Sequence, residues 1–171
     1  MRHLWSRYAT GATVVGMTNQ PALADGALAR SFEMRFTSTP RGARLARRLA
    51  AHRLDAWGLP YGARPHEEMV LVLGELTANA VRHGHVPGRD FHLLLHMTAS
   101  CGTVRIEVTD SRGESTPPEP EELRAPGDEE TGGRGLLLVA ALAERWGWHP
   151  RSGGPGKTVW AECASIGQDR L

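Results

Sequence analysis

The sequence predicts an α+β fold, a two-layer sandwich of helices on a mixed, mostly antiparallel sheet. Three observations point to it. Short segments alternate apolar and polar residues with the period of half-buried strands, at Phe32 to Phe36, Phe91 to Met97 and Val104 to Val108. Longer segments between and after them carry apolar residues at helical spacing. The order is strand, helix, helix, hairpin, loop, helix, hairpin, which groups helices on one layer instead of alternating them with parallel strands.

Taken in order, residues 1–28 lack periodicity and carry Gly11, Gly16, Pro21 and Gly26, so they form an extension, either disordered or packed against a partner. The domain proper spans 29–165, and 166–171 is a C-terminal tail. In ARSFEMRFTSTP, Phe32, Met34 and Phe36 alternate with Ser31, Glu33 and Arg35. Thr39 then serves as N-cap with Pro40 in the first turn of a helix. That helix, to Trp57, puts Leu45, Ala46, Leu49 and Ala50 on one arc and Arg44, Arg47 and Arg48 on the other. Its basic face is either solvated or a docking surface for an acidic partner. After the turn-rich GLPYGARP, Pro65 starts a second helix that Gly84 can end. A hairpin follows, with ASCG between its strands and Asp110 just past its end. Residues 111–131 hold four prolines and seven acids, a loop length that is usually functional or disordered. Glycines then open a helix from Leu136 to Glu144, and two short strands flank the last Gly/Pro turn.

Bulk properties narrow the function classes. A chain of 171 residues buries a core as one domain without staples. With 20 Lys plus Arg against 19 Asp plus Glu, the net charge of +1 exerts no global pull on nucleic acid or membrane, so neither is an expected direct partner. Cys101 and Cys163 have no C-x-x-C spacing and read as reduced thiols of a cytoplasmic protein. No apolar run is long enough to cross a bilayer, and the N-terminus lacks the unbroken apolar stretch of a signal peptide. The eight histidines are scattered, and no transition-metal set can be paired from them.

Chemistry concentrates in three places. In GELTANAVRHG, Glu75 and Asn79 lie about forty degrees apart on the helical wheel and can converge on one object. The main apolar arc is Met69, Leu73, Leu76 and Ala80, and Leu71 and Val72 flank the polar pair as well, which predicts a largely buried setting. A carboxylate and a carboxamide oxygen suit Mg²⁺, with Asn79 as ligand and Glu75 as base. Asp110, an acceptor-only carboxylate at a strand end, can read an exocyclic amine. Gly132-Gly133-Arg134-Gly135 opens a helix whose free N–H groups favour phosphate.

Together and in this order, these elements resemble the GHKL (Bergerat-fold) ATP-binding superfamily over residues from about 30 to 163. Glu75, Asn79 and His83 match its N box, Asp110 its first glycine box, Gly133 and Gly135 its second, and Gly156-Lys157-Thr158 its final strand. The first box departs from D-x-G-x-G, reading DSRGE with Gly113 three residues after Asp110. Within the superfamily the chain looks like RsbW-type anti-sigma factor serine/threonine kinases.

The resemblance implies ATP and Mg²⁺ as cofactors, with Mg²⁺ on Asn79 and Glu75 as base or orienter of the acceptor hydroxyl. Asp110 would hold the adenine amine with Thr158 nearby, and the Gly133–Gly135 backbone, with Arg134, would hold the phosphates. Residues 111–131 would be the ATP lid, mobile without nucleotide or facing a basic partner. The implied activity is phosphorylation of an anti-anti-sigma (antagonist) protein, with a sigma factor as a second partner and a homodimer left open. The alternative is a non-catalytic, ATP-sensing module that sequesters a sigma factor or other regulator. A detached histidine kinase catalytic domain shares the fold, but no phosphoacceptor helix pair precedes residue 30. A topoisomerase or mismatch-repair ATPase would carry a transducer domain.

Overall fold

The computed structural model describes residues 23–24, 27–98, 102–123 and 134–165. The extension at 1–28, apart from its strand residues, and the tail at 166–171 lie outside the described residues, as do Cys101 and residues 124–133. One sheet has the strand order β1-β2-β3-β4-β6-β5. Its strands are β1 (Leu23–Ala24), β2 (Ala27–Thr37), β3 (Asp90–Thr98), β4 (Thr103–Thr109), β5 (Arg145–Pro150) and β6 (Lys157–Ala164). Every described pairing is antiparallel, the limiting case of the predicted sheet.

Register explains why one face is apolar. Met34 lies opposite Leu93, Leu93 opposite Val108, and Val108 opposite Val159, so one row of inward side chains crosses four strands. A second row runs Phe32, Leu95, Ile106, Ala161. Three helices cover this face: α1 (Pro40–Ala56), α2 (Arg64–His83) and α3 (Arg134–Leu142). Helix α2 lies over β4 and β6, between α1 and α3.

Thr39 caps α1 as predicted, accepting the Gly42 N–H at 3.1 Å. The buried stripe of that helix differs from the expected one. It is Gly42, Ala46, Ala50 and Leu54, one residue per turn, while Leu45 is exposed. Small residues let α1 approach β2 closely, and a Cβ at Gly42 would overlap the Thr37 carbonyl. Along α2, Met69, Val72, Leu73, Leu76 and Ala80 are buried. Its end at Gly84 has φ of −101°, so no left-handed cap is needed there.

Helix α3 begins and ends two residues earlier than the sequence predicts. Ala143 makes the last helical bond, to Val139 O at 2.8 Å, and Glu144 N–H then donates to Glu162 O at 2.8 Å. The sheet captures the chain there, and Arg145 starts β5. On the sheet's other face, Arg105 binds Glu107 at 2.6 Å and Glu162 at 2.8 Å, and stacks 4.1 Å from the Trp160 ring centroid. Arg145 also binds Glu162. Burial pushes the Glu162 carboxyl up, but the two guanidinium groups together hold it below its ordinary value.

Candidate functional site

Glu75 and Asn79 sit one turn apart on α2, beside the stripe that packs on the sheet. Both are half-buried and line a cavity of ≈ 510 Å³ walled by α2, α3 and the ends of β4 and β6. The expectation of a largely buried pair is corrected: Leu71, one turn before Glu75, is 52% exposed. The pair stands at the edge of the apolar face and opens on the cavity, so solvent or ligand can satisfy it without a large desolvation cost.

Asp110 is buried where β4 ends. Its N–H donates to Lys157 O at 2.9 Å, which extends the β4–β6 ladder by one bond beyond Thr109 and Thr158. Its Oδ1 accepts the Arg112 N–H at 3.0 Å, and its Oδ2 pairs with Lys157 Nζ at 2.8 Å. Both side chains are only 5% exposed. Two glycines make the seat. A Cβ at Gly84 would overlap the Asp110 carboxylate, and one at Gly156, where φ is +122°, would overlap the Asp110 carbonyl.

On the opposite wall, α3 starts with Arg134 and Gly135. A Cβ on Gly135 would overlap Glu75 Oε2, so the Glu75 carboxylate rests against the first turn of α3. The helix start and the carboxylate are thereby close enough to share a ligand. Helix α3 is anchored by Leu136 and Val139, both buried.

Of the residues singled out from sequence, the cavity wall contains Glu75, Asn79, His83, Asp110, Arg134 and Gly135. Gly133 lies outside the described residues. Gly113 is not in the wall; it packs on the 155–156 turn, where a Cβ would stand 3.3 Å from Gly156 N. Thr158 is not in the wall either: its hydroxyl bonds Thr109 Oγ1 at 2.8 Å, on the sheet face away from the helices. Its neighbour Lys157 lines the cavity instead. The signal for Lys157 was available, because it shares strand parity with Val159, Ala161 and Cys163, all inward and buried.

The described part of the long loop also reaches the site. Ser115, Thr116, Pro117 and Pro118 line the cavity, whereas Glu114, Glu119, Glu121 and Glu122 do not. In its described part the loop turns a neutral segment to the cavity and keeps these four acids out of the wall. A 3₁₀ turn at Pro120–Glu122 follows, with Glu119 N–H donating to Glu122 Oε2 at 3.3 Å. Residues 124–131 of the predicted lid lie outside the described residues.

Residues 36–162 match the family model of the histidine kinase-like ATPase domain. The chain belongs to this family. Glu75, Asn79, Asp110 and Gly135 all fall within the matched span, and the family's open α+β sandwich is the fold described above. Membership makes the chain an ATP-binding protein of the GHKL type. No curated protein matches it. Among the described residues no helix is long and apolar enough to cross a membrane.

Among the described residues, no three His, Cys, Asp or Glu side chains converge as ligands. His66 is a core histidine, with Nδ1 2.8 Å from Leu59 O. A hard cation at this ATPase cleft would depend on one or two protein oxygens, with phosphate and water completing its shell. The Glu75 and Asn79 oxygens fit that description.

Proposed function

We propose that this chain is a Mg·ATP-dependent serine/threonine protein kinase acting on a regulatory partner protein of the anti-anti-sigma type. The observation that carries it is the cavity that brings Asn79, Glu75 and the first turn of α3 to one side and Asp110 to the other. Asn79 would hold Mg²⁺ through its carboxamide oxygen, and the cation would neutralise charge on the phosphates. The α3 start, with Arg134, supports the phosphate end, and Asp110 accepts from the adenine amine. Glu75 takes the proton of the acceptor hydroxyl as its oxygen bonds to the γ-phosphorus and the bond to the β–γ bridging oxygen breaks, leaving ADP. Its carboxylate swings off Gly135 to do so.

A partner surface adjoins the cleft. Arg44, Arg47 and Arg82 line a groove of ≈ 340 Å³ between α1 and α2, and Arg82 lines the nucleotide cavity as well. Three guanidinium groups there favour an acidic segment of the antagonist or of a sigma factor. The test is incubation with Mg·ATP and the antagonist, followed by mass spectrometry. Phosphoserine or phosphothreonine should form with the wild type and vanish with Glu75→Ala; its absence with the wild type would sink the kinase assignment.

The contact of Glu75 with Gly135 favours one second reading, a non-catalytic ATP sensor. There the carboxylate only rests on α3, and nucleotide alters the partner surface through the first turn of that helix without using a base. In that case Glu75→Ala leaves ATP-dependent release of the partner in place.

A further inference from the structure

Among the described residues of the nucleotide cavity Lys157 is the buried cation; Arg82, His83 and Arg134, which share its wall, are exposed. A buried ammonium is costly unless it is paired, and the pairing here is specific. Nζ lies 2.8 Å from Asp110 Oδ2 and donates to Arg112 O at 3.3 Å. These bonds use two of its three donors, and Asp110 spends two of about four acceptor sites, on Lys157 and on the Arg112 N–H. Both groups are thus fixed in place while each keeps capacity for a ligand. The walls beside them are apolar, from Leu76 and Ala80 on α2 and Val108 and Val159 on the sheet. A flat heteroaromatic ring suits that slot, and its polar edge would meet an acceptor and a donor side by side.

We propose that Lys157 is a base-reading residue: it donates to the ring nitrogen beside the amine that Asp110 accepts, so that the pair reads the donor and acceptor edge of an aminopurine. The inference rests on the nucleotide reading above and deepens it. A side chain with no donor at this position would leave base recognition to Asp110 alone. Lys157 also ties the base pocket to the loop, because its second bond holds the Arg112 carbonyl at the loop's start.

The test compares the affinities of ATP, 1-deaza-ATP, 7-deaza-ATP and purine riboside triphosphate, which lack in turn nothing, one ring nitrogen, the other, and the amine. Wild-type protein should bind one deaza analogue roughly tenfold to a hundredfold more weakly than ATP, the loss expected for a hydrogen bond to a charged group. Lys157→Met should erase that preference and keep the preference for ATP over the purine analogue. Because Lys157→Met leaves the Asp110 charge buried without its partner, the double variant Asp110→Asn/Lys157→Met serves beside it, and there too the deaza preference should be gone. Equal binding of ATP and both deaza analogues by the wild type, or a preference that survives in either variant, would overturn the role of Lys157. Failure of the wild type to bind ATP at all would instead overturn the nucleotide reading, and this inference with it.

Discussion

Gly135→Ala separates the stability of this fold from the function of its cleft. A Cβ there would overlap Glu75 Oε2, yet it would stand 3.4 Å from Glu75 Cδ and 3.7 Å from its Cβ, ordinary contact distances. Only the end of a flexible side chain has to move. The carboxylate torsion is broad, so its rotation costs about 0.5–1.5 kcal/mol at most. Replacing glycine by alanine in the first turn of α3 returns up to about 1 kcal/mol. Net stability should therefore stay within about 1 kcal/mol of wild type in urea unfolding. Nucleotide binding should not survive so well, because the proposed function puts the phosphates at this helix start, where the methyl group would stand and redirect Glu75 into the cavity. A loss of about tenfold in ATP affinity, about 1.4 kcal/mol, is expected by calorimetric titration. Unchanged affinity in a stably folded variant would refute the idea that the approach of Glu75 to Gly135 is part of the site. A large loss of stability would refute the view that only a side-chain end is in the way.

Gly156→Ala should behave in the opposite way: with φ of +122° and backbone atoms of Asp110 and Ser111 at 3.0 Å, it should cost about 3 kcal/mol in urea unfolding. Asp110→Ala strands a buried ammonium and should cost about 3–5 kcal/mol, whereas Asp110→Asn/Lys157→Met should recover most of that loss in the same assay. Burial, helped by Glu144, Glu68 and Glu162, pushes the Cys163 thiol from 9.0 up to about 12. Its folded form holds a proton that the unfolded chain gives up above pH 9, so this contribution is intact below pH 9 and is lost as pH rises toward about 12. By pH 10 the loss is about 1.4 kcal/mol, and Cys163→Ala should flatten that part of the alkaline stability slope; parallel slopes would contradict it. Burial, acting first, and the charges of Arg35 and Arg151 lower the His92 pKa against Glu33 and Glu107. Stability should consequently fall as pH drops through 6.5, and His92→Gln should reduce that fall.

Most of the architecture was legible because strand parity and helical spacing report burial directly. Phe32, Met34 and Phe36 alternate in sequence and are all buried on one face. The ends of elements were less legible, since they depend on partners far along the chain. Helix α3 stops where Glu162 takes the Glu144 N–H, a bond no local signal announces. The stripe of α1 was misread because leucine outweighs alanine in any count of hydrophobicity, while close packing on β2 selects Gly42, Ala46 and Ala50. Within the site, the spacing of Glu75 and Asn79 and the position of Asp110 at a strand end could be read locally. Thr158 came from the family motif alone, whereas the parity of β6, equally local, puts Lys157 inward with Val159 and Ala161. Gly84 ends α2 as expected, and it is glycine because Asp110 leaves no room for a side chain.

That the cleft between α2 and α3 holds Mg·ATP through Asn79 is tested most directly by titrating ATP in Mg²⁺ and in EDTA, with wild type and Asn79→Ala. Wild type should bind ATP at least about tenfold more tightly with Mg²⁺, as expected for a cation that bridges one protein oxygen and the phosphates. Asn79→Ala should keep the metal-free affinity and lose the increment. An equal Mg²⁺ increment in both proteins, or no ATP binding by the wild type, would contradict it.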